Sequence, residues 1–379
     1  MSCDLIALAN SGVQGLSPYQ PGKPVEELER ELGLVDVVKL ASNENPLGPS
    51  PKALAAATAA LAESHLYPDA SGFALKNTLA PRLGVNPDQL TLGNGSNDVL
   101  DVIARVFLDK NSSAVFSQYA FIVYPISVQA VGARAIVTPA KEWGHDLDAM
   151  AAAIEDDTRL LFIANPNNPT GTCLDFADIR RFMAQVPERV MVVLDEAYVE
   201  FVGTGLGEDG LALLKEYPNL ILTRTFSKAY GLAGLRVGYA VSHKDVANLL
   251  NRVRAPFNVT VPALAAAEAV LADVDYLTRS QNVNREGMAQ LCSGLDALGV
   301  PYIPSVGNFI AIELPCAAGP IYQALLESGV IVRPVGIYDM PNHLRVSIGL
   351  EQENARFLLA LKTVLNSPEL KKWVQERAQ

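Results

Sequence analysis

Leu220-Ile221-Leu222-Thr223-Arg224-Thr225-Phe226-Ser227-Lys228-Ala229-Tyr230-Gly231-Leu232-Ala233-Gly234-Leu235-Arg236 runs from an apolar segment into a glycine-rich turn that holds a lysine and ends on an arginine. Residues 220–222 read as a strand buried on both faces. Lys228 is flanked by small and apolar residues with no acid beside it. A single lysine is usually solvated surface. In this setting it would be partly desolvated, which lowers its pKa and suits Schiff-base chemistry. Thr225, Ser227 and Arg236 could donate to a phosphate, the arginine as a rigid fork.

The same texture extends to both sides. Short apolar runs at 90–93, 114–116, 135–137, 160–164 and 190–194 read as further strands. Helical stretches at 98–107, 147–154, 176–185 and 211–216 lie between them. Strand–helix alternation of this kind predicts an α/β lobe with a doubly wound, mostly parallel sheet. Right-handed crossovers then gather the strand C-termini on one edge, where ligands bind. Residues 1–38 read as an N-terminal arm, broken by Pro18, Pro21, Gly22 and Pro24, with a short helix at 25–32. The large domain is expected over 39–255. From 256 the pattern changes to a long helical region, 263–298, followed by strands near 308–314, 329–333 and 344–349 and a closing helix. That predicts a smaller α+β domain over 256–379.

Three more strand ends carry candidate chemistry. The run 190–194 finishes in Asp195-Glu196-Ala197-Tyr198, a carboxylate aimed at the ligand edge, although an isolated Asp there is more often a cap or turn residue. The run 160–164 leads to Asn165-Pro166-Asn167-Asn168-Pro169-Thr170-Gly171, a backbone fixed by two prolines and a glycine. The run 90–93 leads to Asn94-Gly95-Ser96-Asn97 and an apolar-periodic helix, a glycine turn feeding a helix N-terminus and hence an anion site. It lacks the third glycine of the dinucleotide fingerprint. Together the four ends supply a lysine, a carboxylate, a fixed asparagine and a phosphate nest. Pyridoxal 5'-phosphate (PLP) needs all four: an amine for its aldehyde, an acid for its ring nitrogen, donors for its ring oxygen, and N–H groups with an arginine for its phosphate.

Pro166-Asn167-Asn168-Pro169-Thr170-Gly171, Asp195-Glu196-Ala197-Tyr198 and Ser227-Lys228 with Arg236 resemble the motif set of the fold-type I, class II PLP-dependent aminotransferases. The histidinol-phosphate aminotransferase family is the most similar, from Pro18-Tyr19 to Leu344-Arg345. The resemblance implies that Lys228 is the Schiff-base lysine and proton shuttle, that Asp195 pairs with the pyridinium, and that Tyr198 and Asn168 bond the ring oxygen. It implies that Tyr119 stacks on the ring and that Ser96, Asn97, Thr225, Ser227 and Arg236 hold the phosphate. Tyr67 resembles a tyrosine that reaches the phosphate from a neighbouring subunit, which implies a homodimer with shared sites. Without the resemblance, Tyr67 and Tyr119 are as readily explained by packing. Tyr19, Asn168, Arg333 and Arg345 are implied as substrate contacts. Either arginine alone would more often be a surface ion pair. Arginines fit this chemistry because one site must accept a phosphate and a carboxylate in alternate half-reactions, and both anions are read by the same bidentate geometry.

The implied reaction is transamination of L-histidinol phosphate with 2-oxoglutarate, giving imidazole acetol phosphate and L-glutamate, a step of histidine biosynthesis. An aromatic amino-acid aminotransferase and a PLP-dependent decarboxylase of an amino-acid phosphate share the same cofactor residues and stay open. A nucleotide-binding protein without a Schiff base is the alternative of another class. The net charge of −11 over 379 residues argues against a nucleic-acid partner. Four cysteines and four histidines are scattered without metal-ligand spacing, so no metal is expected. The start MSCDLIALAN lacks a signal-peptide pattern, and the alanine-rich runs are too short to span a bilayer. A cytoplasmic location with no membrane partner is therefore expected.

Overall fold

The computed structural model describes residues 4–18, 22–203 and 210–368. Seven strands form the central sheet: β1 (Leu90–Gly93), β2 (Ser113–Ser117), β3 (Arg134–Thr138), β4 (Thr158–Ala164), β5 (Met191–Asp195), β6 (Leu220–Thr225) and β7 (Gly238–Ser242). They lie side by side in the order β1-β7-β6-β5-β4-β2-β3. Neighbours are parallel except at β7, which is antiparallel to both β1 and β6. Helices cover both faces and bury two apolar layers. Continuous burial of β2 and β6 matches their unbroken apolar runs. The sequence reading located the first six strands but not β7. Residues 237–241 form a short apolar run that the sequence reading left unassigned. Pairing with two neighbours places it there, with Gly238 opposite both Gly93 and Thr225.

Register sets the site. Ala164 pairs with Asp195, and Asp195 with Thr223, so the ends of β4, β5 and β6 lie in one row.

The second sheet contains β8 (Tyr302–Ile303), β9 (Phe309–Glu313), β10 (Arg333–Pro334) and β11 (His343–Ser347), in the antiparallel order β8-β9-β11-β10. Two expected segments are divided. The stretch expected as one strand at 329–333 splits. Val330–Ile331 pairs in parallel with Val38–Lys39, while Arg333–Pro334 joins β11. The expected helical region 263–298 is two helices, Val261–Leu271 and Val274–Leu298, broken at Asp273, whose carboxylate accepts from Ser50 Oγ at 2.6 Å.

Packing crosses the expected domain limits. Val38 and Leu40 are buried in the core of the second lobe. Leu28 and Ala41 pack with Leu326 and Ile331. Ala263, Ala266 and Ala267 are instead buried in the large-lobe core, where Ala53 and Ala57 of the helix Pro51–Ala60 also lie. We propose on this packing that residues 25–41 belong to the small lobe and the helix Val261–Leu271 to the large one. The divisions at 38/39 and 255/256 follow changes of sequence texture, which do not register contacts made across the chain.

Candidate active site

Beyond β6 the chain turns sharply. Phe226 N–H donates to Val237 O, and Gly231, at φ +67°, donates to Lys228 O. This turn points Lys228 into a cavity of about 260 Å³ between the lobes. Lys228 Nζ donates to Ser42 O at 3.2 Å. Burial brings its pKa down to about 7; Arg345 and Arg236 push the same way and Glu44 opposes them.

Asp195, at the end of β5, is 4% exposed and lines the same cavity. Its carboxylate accepts from Tyr124 OH at 2.9 Å and Thr223 Oγ1 at 2.8 Å. Burial pushes its pKa up to about 6 in spite of those two donors. Both donors are neutral, and among the described residues no Lys or Arg bonds this carboxylate. A buried acid with neutral donors and an open side fits the protonated ring nitrogen of PLP.

The opposite end of the cavity fits its phosphate. Gly95, at φ +80°, precedes the helix Ser96–Phe107, and Ser96 and Asn97 line the cavity at its first turn. Thr225, Ser227 and Arg236 line it from the other side. Arg236 donates to Ser227 Oγ at 3.2 Å and to Asn94 O at 3.3 Å. A Cβ on Gly238 would lie 2.4 Å from Ser96 N, and one on Gly95 would lie 2.5 Å from Arg236 Nη2. Only glycine permits this approach of β7, the helix terminus and the guanidinium. Helix N–H groups and an arginine converge there, as anion binding requires.

The substrate side is built from the small lobe. Arg333 and Arg345 are register partners on β10 and β11, and both line the cavity. Arg345 donates to Asn168 Oδ1 at 2.6 Å and to Ala41 O at 2.7 Å. Asn168 is buried in the fixed turn after β4, which contains cis bonds at Asn165–Pro166 and Asn168–Pro169. Tyr198 lines the cavity and accepts from Asn43 Nδ2 at 2.9 Å.

Three tyrosines expected from sequence stand apart. Tyr119, at φ +60°, is not among the residues that line the cavity; its ring lies 5.2 Å from that of Trp143 between centroids. It packs there against the cluster of Ile303, Val335 and Met340. Phe121, two residues on, lines the cavity instead. Tyr67 does not reach its own chain's cavity; it is 82% exposed and stacks on Phe257 at 4.8 Å. Tyr19 lies outside the described residues.

Sequence reasoning missed Tyr124, Thr223, Phe121, Tyr338 and Asn43 as site residues. Asn43 stands in a turn cluster visible in the sequence. Tyr124 gives no local sign, because its bond to Asp195 spans 71 residues.

The model of the family described as aminotransferase class I and II matches residues 35–361. Histidinol-phosphate aminotransferase 2 of Pseudomonas fluorescens (strain Pf-5) is 61% identical over 367 residues, covering 96% of this chain and 99% of its own. The protein of the same name from Pseudomonas aeruginosa is 61% identical over 364 residues, again 96% and 99% of the two chains. The crystal structure of histidinol-phosphate aminotransferase from Sinorhizobium meliloti in complex with pyridoxal-5'-phosphate is similar with a TM-score of 0.86 at 30% identity, covering 94% of this chain and 96% of that one.

Proposed function

We propose, from the premise that this chain belongs to the class I and II aminotransferases and within them to the histidinol-phosphate aminotransferase family, that it transfers the amino group of L-histidinol phosphate to 2-oxoglutarate, giving imidazole acetol phosphate and L-glutamate. The observation that carries the substrate class is the in-register pair Arg333 and Arg345 lining the cavity that holds Lys228 and Asp195. Two guanidinium groups on adjacent strands match a doubly charged phosphate ester in one half-reaction and a dicarboxylate in the other.

PLP is the cofactor, and when bound it supplies an aldehyde for the amine and a conjugated ring that takes up the electron pair of the broken bond. The protein's own groups do the rest. Lys228 has a pKa of about 7, so much of it is a neutral amine near neutral pH, able to take the proton from the amine-bearing carbon and return it elsewhere. Asp195 would hold the ring N–H of PLP, Tyr198 and Asn168 would bond its ring oxygen, and Phe121 would cover a ring face. Ser96, Asn97, Thr225, Ser227 and Arg236 would hold its phosphate. Tyr67 serves the site of a partner subunit, so the working unit is a homodimer. We place it in the cytoplasm, where a charged phosphate ester is retained. No described helix is long and apolar enough to cross a membrane.

The test is steady-state comparison of L-histidinol phosphate, phenylalanine and tyrosine as donors, each with 2-oxoglutarate. kcat/KM should be highest for L-histidinol phosphate, and Arg333→Ala should lower it more for that donor than for phenylalanine. Equal values for all three donors would remove the substrate assignment, and release of carbon dioxide would replace it with a lyase. Borohydride reduction and peptide mapping should leave a phosphopyridoxyl group on Lys228.

A further inference from the structure

Asn43 is 1% exposed, sits at φ +52° and lines the cavity. Left-handed backbone is uncommon for side chains other than Asn and Asp, so its place is specific. Its backbone N–H donates to Ser347 Oγ at 2.8 Å. Ser347 Oγ, having accepted there, has one proton left, and Asn43 Oδ1 lies 3.2 Å away to receive it. That assigns the amide: the oxygen faces Ser347 and the NH2 faces Tyr198. An NH2 group can only donate, so the Tyr198 oxygen, 2.9 Å away, must accept. The phenol's single proton is then aimed away from Asn43, and Tyr198 lines the cavity.

From this chain of donors we infer that Asn43 is a positioning residue: it sets the direction of the Tyr198 proton and so makes Tyr198 a donor into the cavity. Ser347 lies two residues beyond Arg345, on the same face of β11. A shift of the strand that carries the substrate arginine would therefore also reach the tyrosine proton. Asn308 Nδ2 holds Asn43 O at 3.0 Å and ties the same residue to the small lobe a second time.

This role rests on Tyr198 being a donor to the cofactor's ring oxygen, as proposed above, and the two ideas separate experimentally. Asn43→Asp is close to isosteric but its carboxylate only accepts, so it would draw the tyrosine proton out of the cavity. Two readouts apply: the pH midpoint of the visible band of the PLP-loaded enzyme, and the PLP dissociation constant of the apoprotein. A ring oxygen deprived of its donor holds negative charge less well and binds the shared proton more tightly. Tyr198→Phe should therefore raise the midpoint by about one pH unit. Asn43→Asp should raise it at least as much, because its added negative charge acts in the same direction; the charge-neutral pair Ser347→Ala and Tyr198→Phe should together go no further than Tyr198→Phe alone. Asp195, Arg345, Tyr338 and Lys228 face Tyr198 in every variant; Asn43→Asp adds a negative charge of its own, so the charge-neutral Ser347→Ala is the variant whose shift reports the hydroxyl. Ser347→Ala frees the amide and should give a smaller shift in the same direction, which keeps the test open should Asn43→Asp not fold. Shifts of Ser347→Ala and Tyr198→Phe that add would overturn the role of Asn43. So would a Tyr198→Phe shift that neither Asn43→Asp nor Ser347→Ala reproduces. No shift in Tyr198→Phe would overturn the tyrosine reading and this role with it.

Discussion

Burial moves Asp195 and Lys228 toward each other on the pH scale, one up to about 6 and the other down to about 7. Opposed shifts of this kind mark groups set up for different tasks in one site. They also leave a trace in the stability of the apoprotein. For Asp195 the folded value exceeds the unfolded 3.8, so the folded state binds more protons between 3.8 and about 6. Stability is lost as pH rises through that window, and the cost is fully present above it. For Lys228 the folded value lies below 10.5, so the unfolded state binds more protons between about 7 and 10.5. Its cost is fully present below that window and disappears as pH rises through it. Melting of the apoprotein should therefore show Asp195→Asn gaining on the parent as pH climbs from 3.8 to about 6. The parent should gain on Lys228→Met from about 7 to 10.5. A pH-independent difference for either variant would contradict the assigned burial. Both residues were legible in the sequence because each follows an apolar run at a strand end. The donors that hold Asp195 were not: Thr223 lies inside β6, and Tyr124 lies in the helix Val123–Ala130, where an aromatic reads as core. The packing of Tyr119 against Trp143 was not legible either, since a positive φ cannot be read from a tyrosine in a sequence.

Strand β7 and the helix Ser96–Phe107 meet at backbone distance, and that approach makes the anion end of the cavity. Gly238 abuts Ser96 N and Gly95, while Gly95 abuts the Arg236 guanidinium. A methyl group on Gly238 has no flexible neighbour to displace, because the atoms nearest it are backbone. Gly238→Ala should thus push the helix terminus off β7 and weaken PLP binding by about tenfold or more, an overpacking cost of 1–3 kcal/mol. Gly234→Ala, where a Cβ meets nothing within 4 Å, is the matched control. Titration of the apoproteins with PLP checks both, and equal affinities for the two would refute the close-approach account. Elements with long apolar runs were legible from sequence, as β2, β4, β5 and β6 illustrate. Strand β7 was not read as a strand: it is short, follows the turn after β6, and is fixed by antiparallel pairing with β6 and with β1, which lies far off in sequence. The split of 330–334 was equally hidden: one half pairs with Val38–Lys39 and the other with β11, and an extended stretch does not say where it changes partner.

At the scale of the molecule, one residue of the expected site has no task within its own chain. Tyr67 is 82% exposed and stacked on Phe257, which is itself 43% exposed. Leu54, Leu61, Leu66 and Phe73, from neighbouring stretches of chain, are also exposed. Exposed apolar residues in one region of sequence are what an isologous interface would cover. If Tyr67 completes a partner's site, then Lys228 and Tyr67 of one site come from different chains. Lys228→Ala and Tyr67→Phe chains, each weakly active alone, would then complement after mixing. The hybrid site built on the Tyr67→Phe chain takes its lysine from that chain and its tyrosine from the other. Random reassortment makes half the dimers hybrid with one intact site each, so recovery should approach about a quarter of the parent activity. Activity assayed before subunits have exchanged should show no rescue, and rescue should grow with incubation. Sedimentation of the mixture fixes whether dimers are present at all. Dimers that exchange without any recovery of activity would place Tyr67 outside the partner's site while leaving the dimer standing. A monomer with full activity would remove both.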